Sequence, residues 1–274
     1  MPLNTIKQIA AYRELLIALT YRDIQVKYKQ AVMGVAWAFF MPVLAITSGI
    51  LFRLVMSWHR SESLPVAADI VGVMVKSVPW LAFAAIVGAA STSLIGNVEL
   101  ITKIYFPREV VPLSATLSAL FDFAISLTGL VVVLAILVLV GGDKSPIVIS
   151  IQLLWVPVLL AMLILMATGL GIGLSAANLI FRDVKYIVQV VLQFGILFSL
   201  VYFTYTEVHA DYGWLMLFNP IAPPLEALRM VLLEGYIDPL LHKFLAYSGV
   251  VTAVVIVFGH ALFTKAESMF AEYA

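Results

Sequence analysis

Long apolar stretches alternate with short polar ones along nearly the whole chain. Six of them, 32–56, 78–96, 111–140, 147–177, 186–203 and 244–263, are long enough to cross a membrane. A hydrocarbon core of about 30 Å takes roughly 20 helical residues. Helix is the predicted state, because unpaired backbone groups cannot face lipid. Pro42 predicts a kink in the first run, since proline leaves an upstream carbonyl without its donor. Before that run, residues 4–30 predict an amphipathic helix along the membrane surface. Ile6, Ile9, Leu16 and Ile17 fall near helical spacing, and Lys7, Arg13, Glu14, Arg22 and Asp23 supply the polar side. Such a helix either rests on lipid or docks a soluble subunit.

Two polar intervals depart from simple connectors. The loop 97–112, NVELITKIYFPREVVP, is charged at its rims and carries Ile101, Ile104, Tyr105 and Phe106 in its middle. It predicts a turn or two of amphipathic helix stopped by Pro107, with an apolar face exposed to water. Such a face needs a partner to bury it. The interval 204–243 is rich in Tyr205, Tyr212, Trp214 and Phe218, and Asn219-Pro220 and Pro223-Pro224 cut it into pieces too short to cross the bilayer. Short re-entrant helices and an interfacial aromatic belt both fit this pattern. The short loop at Asn178, Arg182, Asp183 and Lys185 reads as a solvated turn or as a contact for the N-terminal helix.

Composition agrees with the membrane reading. Hydrophobic residues make up 63% and charged residues 12%, against roughly 45–50% and about 25% in soluble domains. The chain is expected to be a single membrane domain, 1–274, without a signal peptide. Lysines and arginines divide 10 to 6 in favour of the side that holds the N-terminus. They concentrate before the first run, which predicts a multi-pass protein with both termini cytoplasmic. The absence of cysteine excludes disulfides and cysteine-ligated metals.

Catalytic constellations are missing from the sequence. His59, His209, His242 and His260 have no metal-ligand spacing, and neither a G-x-S-x-G elbow nor a phosphate-cradling G-x-x-x-x-G-K-[ST] loop occurs. An enzyme acting on lipid-linked sugars is disfavoured on that ground. Neither a metal site nor a nucleic-acid partner is expected. Gly169 and Gly173 have the small-xxx-small spacing of close helix packing, within the chain or across a dimer seam. Asp122 is the carboxylate placed well inside an apolar run. A structural hydrogen bond accounts for it, and a proton relay in an ion-coupled transporter is the competing reading.

Two motifs carry a family resemblance. Tyr21-Arg22-Asp23-Ile24, Lys27-Tyr28-Lys29-Gln30 and Gly34-Val35-Ala36-Trp37 resemble the approach to the first span in transmembrane subunits of ABC polysaccharide exporters. The loop Asn97, Leu100-Ile101, Lys103, Tyr105-Phe106-Pro107-Arg108-Glu109, Pro112-Leu113 is similar to that family's most recognisable segment. Asp122, Arg182-Asp183 and Asn219-Pro220 also fall where the family pattern has such residues. Glu99 and Thr102 depart from it, which leaves the choice of partner open.

The resemblance implies an all-α integral membrane protein with six transmembrane helices. To these it adds an N-terminal interface helix, a cytoplasmic coupling helix in 97–110 and short re-entrant outer helices in 204–243. It implies a homodimer in the bacterial inner membrane, paired with two copies of a cytoplasmic ABC ATPase that binds ATP and magnesium. No cofactor is expected in this chain. Asn97, Leu100, Ile101, Lys103, Ile104, Tyr105, Phe106 and Arg108 become the ATPase-coupling residues, assisted by Arg13, Arg22, Asp23 and Lys27. A lipid-linked polysaccharide, O-antigen-like, would pass between the subunits. Trp37, Phe39, Phe40, Trp80, Phe83, Tyr202 and Tyr205 are the candidate lining residues, because a pyranose rests its C–H face on an aromatic ring. Drugs or lipids are the alternative cargo within the same class.

Overall fold

The computed structural model describes residues 10–29, 34–60, 67–142, 145–204, 206–207 and 213–267. Residues 4–9, with Ile6, Lys7 and Ile9, lie outside them, as does Tyr205. The described chain is helical: α1 (Arg13–Tyr28), α2 (Trp37–Arg60), α3 (Ala67–Gly96), α4 (Val98–Lys103), α5 (Val110–Gly141), α6 (Trp155–Ile180), α7 (Val184–Phe198), α8 (Ala222–Leu233) and α9 (Pro239–Glu267). Short 3₁₀ helices at Gly34–Ala36, Ile151–Leu154 and Gly213–Phe218 precede α2, α6 and α8.

Five helices among the described residues are long and apolar enough to cross a membrane: α2, α3, α5, α6 with its preceding turn, and α9. The sixth expected span, 186–203, is α7. Its 15 residues reach about 22 Å at 1.5 Å per residue, short of the hydrocarbon thickness. Beyond Phe198 the chain leaves the helix, because Leu200 adopts a left-handed backbone with φ 57°. The second span begins at Ala67 instead of at 78, so Asp69 and Lys76 belong to α3 and not to a connector. Arg53 likewise lies inside α2.

α3 is the central helix. It packs against α2, α5, α6, α7 and α8, and 72% of its most apolar window is buried. Its Trp80, Phe83 and Ile86 join Leu163 and Met166 of α6 and Leu225 and Leu228 of α8 in the main core. A second cluster closes the end of the bundle where α3 gives way to α4, built from Leu19, Leu94, Ile101, Phe106, Val110, Ile172 and Phe263.

Glycine brings α6 and α9 together. A methyl group at Gly259 would lie 2.2 Å from the Gly169 carbonyl oxygen, and one at Gly173 would lie 3.0 Å from the Gly259 Cα. The small-xxx-small spacing therefore serves packing within the chain. Pro42 sits inside α2, where its missing N–H would have bonded the Ala38 carbonyl. The Ser126 hydroxyl of α5 donates to that carbonyl instead, at 2.7 Å.

Candidate functional site

At the α4 end of the bundle, six residues of helix end at Lys103, short of Pro107. Ile104 is extended, with φ −128° and ψ 134°, so helical spacing stops before it. Beyond it Tyr105 stands 97% exposed and Phe106 only 4%. The expectation of a uniformly exposed apolar face is corrected here. Ile101, 4% exposed, and Phe106 are anchors in the second core cluster, whereas Ile104 and Tyr105 face outward. Leu100 is half-buried beside the anchors. Lys103 pairs with Glu99 one turn away on the exposed side of α4. Arg108 turns back to donate to the Glu267 carbonyl at 2.8 Å. The motif is thus a rigid turn with a two-residue knob.

α1 is tied to the same turn. Leu15, Leu16 and Leu19 pack into the cluster that holds Ile101 and Phe106. The Arg22 guanidinium donates to Asn97 Oδ1 at 2.6 Å, and Asn97 Nδ2 donates to the Ser93 carbonyl at 2.8 Å. Arg22 also pairs with Asp23 at 2.7 Å, and Ser114 Oγ donates to Asp23 at 3.4 Å. α1 runs alongside α5, with its leucines turned into protein. Ile17, placed on the apolar side by its spacing, is 65% exposed. With Tyr21, 62% exposed, it forms an i,i+4 pair on the outward face. Arg13 is exposed at the start of α1.

Asp122 is not solitary. It accepts hydrogen bonds from Lys27 Nζ and from the Tyr28 hydroxyl at the end of α1. Burial, then the hydrogen bond and negative charge of Asp122, pushes the Tyr28 phenol above its ordinary pKa and keeps it a donor. This carboxylate pins α1 to α5. It also faces a cavity of about 500 Å³, whose wall includes Trp37, Ala82, Phe123 and Ser126.

The ABC-2 type transporter family model matches residues 14–233, from α1 through α8. The chain belongs to the ABC-2 type transporter family. It is 26% identical over 261 residues to an O-antigen export system permease protein RfbA of Klebsiella pneumoniae, covering 94% of each chain. A Myxococcus xanthus protein of the same name is 25% identical over 187 residues, 68% of this chain and 67% of the relative. The polysialic acid transport protein KpsM of Escherichia coli is 24% identical over 257 residues, covering 92% and 93%. As an ABC-2 family member with five helices among its described residues long and apolar enough to cross a membrane, the chain is a membrane component of a transporter.

The candidate aromatics of this ABC-2 chain divide into two sets. Trp37, Phe39 and Phe40 are 40%, 46% and 41% exposed on the first turns of α2. Trp80 and Phe83 are buried and stacked on one another at 5.7 Å. The Trp80 ring fills the space that a side chain at Gly195 of α7 would take. Tyr202 is also buried, its hydroxyl 3.0 Å from Ser48 Oγ. These three are core residues within the subunit: α7 closes over Trp80 at Gly195, Phe83 stacks on Trp80, and Tyr202 packs on α2 at Gly49 and Phe52. Asn178 is buried too, donating to the Ser91 carbonyl at 2.9 Å and accepting from the Lys185 amide at 3.1 Å. Arg182 and Asp183 remain exposed.

At the opposite end lies a charge network that the sequence pattern did not reveal. Lys76 and Glu226 are 1% and 0% exposed and 3.1 Å apart. Arg229 donates to Glu226 at 2.8 Å and reaches Glu234 at 2.8 Å. Lys76 also donates to the Phe203 carbonyl at 2.9 Å. Pro223 and Pro224 stand in the first turn of α8, where their missing N–H groups need no partner. They start this helix instead of breaking it, and α8 packs between α3, α6 and α9. Asn219 donates to the Phe198 carbonyl at 3.1 Å and the Ser199 hydroxyl at 2.9 Å, closing the end of α7. A signal was present in the sequence: Glu226 sits between Leu225 and Ala227, and Lys76 follows the apolar run Val73-Met74-Val75.

Proposed function

We propose that the chain is the permease subunit of an ATP-driven exporter of lipid-linked, O-antigen-like polysaccharide in the bacterial inner membrane. Two copies form the path, both termini are cytoplasmic, and two cytoplasmic ABC ATPases supply the energy. ATP and magnesium bind to those partners, and this chain contributes no catalytic group. Relatives named for O-antigen and polysialic acid transport, aligned over nearly their whole length, support the polysaccharide reading.

The observation that carries the coupling half is the anchored knob. Tyr105 is almost fully exposed while Ile101 and Phe106 on either side are buried. An anchored turn transmits a push, whereas a loose loop would absorb it. α4 continues directly from α3, shares its cluster with α1 and α5, and is tied to α1 through Arg22 and Asn97. Movement of an ATPase groove around Ile104 and Tyr105 would then shift α1, α3 and α5 as a unit. Coupling of this kind requires two packings that differ at the partner face. The exposed Trp37, Phe39 and Phe40 supply ring faces over which sugar C–H surfaces slide. α8 serves as a short re-entrant element near the exit.

The test is reconstitution with the cognate ATPase in vesicles containing a lipid-linked glycan. Glycan translocation that requires both ATP and the ATPase chain is the expected result. Transport by the permease alone, following pH or membrane potential, would overturn the exporter assignment. ATP-dependent efflux of drugs or lipids without glycan movement would overturn the cargo.

A further inference from the structure

We propose that Arg53 is a positioning residue for the outer end of the export path, closing a releasable clasp beside a permanent one made by Lys76. The proposal rests on the exporter reading, and it concerns how the exit is held shut.

Two cations from neighbouring helices grip consecutive backbone carbonyls. Arg53 of α2 donates to the Tyr202 carbonyl at 3.1 Å, and Lys76 of α3 donates to the Phe203 carbonyl at 2.9 Å. Tyr202 is otherwise held from α2, through Ser48, the Phe52 ring and the close approach at Gly49. The dipeptide Tyr202–Phe203 therefore bridges the seam between α2 and α3. If α2 moves relative to α3, one of the two grips must open.

Burial decides which one. Lys76 and Glu226 have side chains 1% and 0% exposed, and Arg229 and Glu234 complete a neutral quartet around them. Separating charges in such surroundings is strongly opposed. Arg53, its side chain 15% exposed, pairs instead with Asp69 at 3.0 Å and Glu207 at 2.5 Å, whose side chains are 31% and 35% exposed. Water reaches both carboxylates, so this clasp opens more easily than the fully buried one. Glu207 also accepts from the Thr204 amide at 3.0 Å, which joins Thr204 to the carboxylate that Arg53 holds.

Leu200 supports the same view. It is fully buried with φ 57°, a conformation that a non-glycine residue keeps only where its surroundings impose it. The imposing contacts are the clasps just downstream, at Tyr202 and Phe203, and the bond from Asn219 to the Phe198 carbonyl just upstream. Opening the Arg53 clasp releases its ties to Asp69 of α3, to Glu207 and to the Tyr202 carbonyl, leaving α2 bonded to this stretch through the Tyr202 side chain, while α3, Phe203 and α8 stay together as one body.

The test measures release of trapped calcein from vesicles holding the purified dimer at rest, without ATP. Arg53→Met and Glu207→Gln are expected to raise release about three- to fivefold, as loss of a partly exposed ion pair allows. Their unfolding midpoints should stay unchanged. Wild-type release should rise when salt goes from about 0.1 M to about 1 M, which shortens the screening length from about 10 Å to about 3 Å. The Arg53→Met variant should not respond to salt. The double variant Lys76→Met/Glu226→Gln, which removes the buried pair without stranding a charge, should leave release at the wild-type level. Release from the Arg53→Met variant equal to wild type overturns the proposal, as does release from the Lys76→Met/Glu226→Gln variant raised as far as that from Arg53→Met. If Arg53→Met does not assemble, Glu207→Gln decides, because Asp69 still holds Arg53. Retained ATPase binding alongside a negative result confines the failure to the clasp, whereas lost ATPase binding in the wild type strikes the exporter reading itself.

Discussion

Replacing Tyr105 and Phe106 one at a time separates two roles that are adjacent in sequence. Tyr105 is 97% exposed, so Tyr105→Ala removes almost no contact within the fold. If its ring enters an ATPase groove, about 150–250 Å² of aromatic surface is buried there. At about 25 cal/mol per Å² that is roughly 4–6 kcal/mol before the costs of association. Truncated anchor residues typically lose about 2–4 kcal/mol, which corresponds to about 30- to 1000-fold in Kd. Phe106 is 4% exposed and packs with Leu19, Ile101, Val110 and Phe263. Phe106→Ala should instead lower fold stability by about 3–5 kcal/mol. The assay pairs ATPase affinity for nanodisc-embedded permease, by biolayer interferometry, with equilibrium unfolding in SDS. Tyr105→Ala should weaken binding at unchanged stability, and Phe106→Ala should reduce stability first. Wild-type affinity in Tyr105→Ala, or wild-type stability in Phe106→Ala, would refute the division into knob and anchor.

Three further outcomes follow from the packing. Gly259→Ala must push α6 and α9 apart, since the new methyl would meet the Gly169 carbonyl at 2.2 Å; Gly249→Ala on the same helix meets nothing within 4 Å. SDS unfolding should show the first destabilised by about 2 kcal/mol or more, and the second neutral or stabilised by up to about 1 kcal/mol; equal values would place the glycine seam elsewhere. Lys76→Met leaves Glu226 buried with Arg229 as its remaining ion-pair partner, so stability should fall by about 3 kcal/mol, with more than half recovered in Lys76→Met/Glu226→Gln. Asp122→Asn weakens the attachment of α1, and amide exchange across residues 23–28 should quicken about tenfold; unchanged exchange would show that Lys27 and Tyr28 do not hold α1 through this carboxylate.

The sequence was most legible where one-dimensional pattern and physical cause coincide. Apolar runs must be helical in lipid whatever their neighbours do, so five of the expected spans have counterparts among the membrane-crossing helices, with shifted bounds. The glycine spacing and the isolation of Asp122 likewise announced close contact and buried polarity. The sides of these features were not legible. Ile101 and Phe106 differ from Ile104 and Tyr105 because α4 ends at Lys103 and the chain beyond it leaves helical spacing, with Phe106 turned into the second core cluster. Helical spacing carried past that point put all four on one face.

What the chain alone determined is the membrane helices and the positions where something must be paired. Tertiary structure decided what pairs with what. Trp80 and Phe83 became core because α7 closes over Trp80 at Gly195, and Tyr202 because the chain beyond α7 lays it against α2. Lys76 and Glu226 lie 150 positions apart in sequence, and neither pattern nor composition marks them as partners. Their meeting depends on α8 inserting beside α3. The physical reason is common to all these cases: hydrophobicity selects the environment of a segment from its own residues, whereas a hydrogen bond or ion pair exists only once two segments have been brought within about 3 Å.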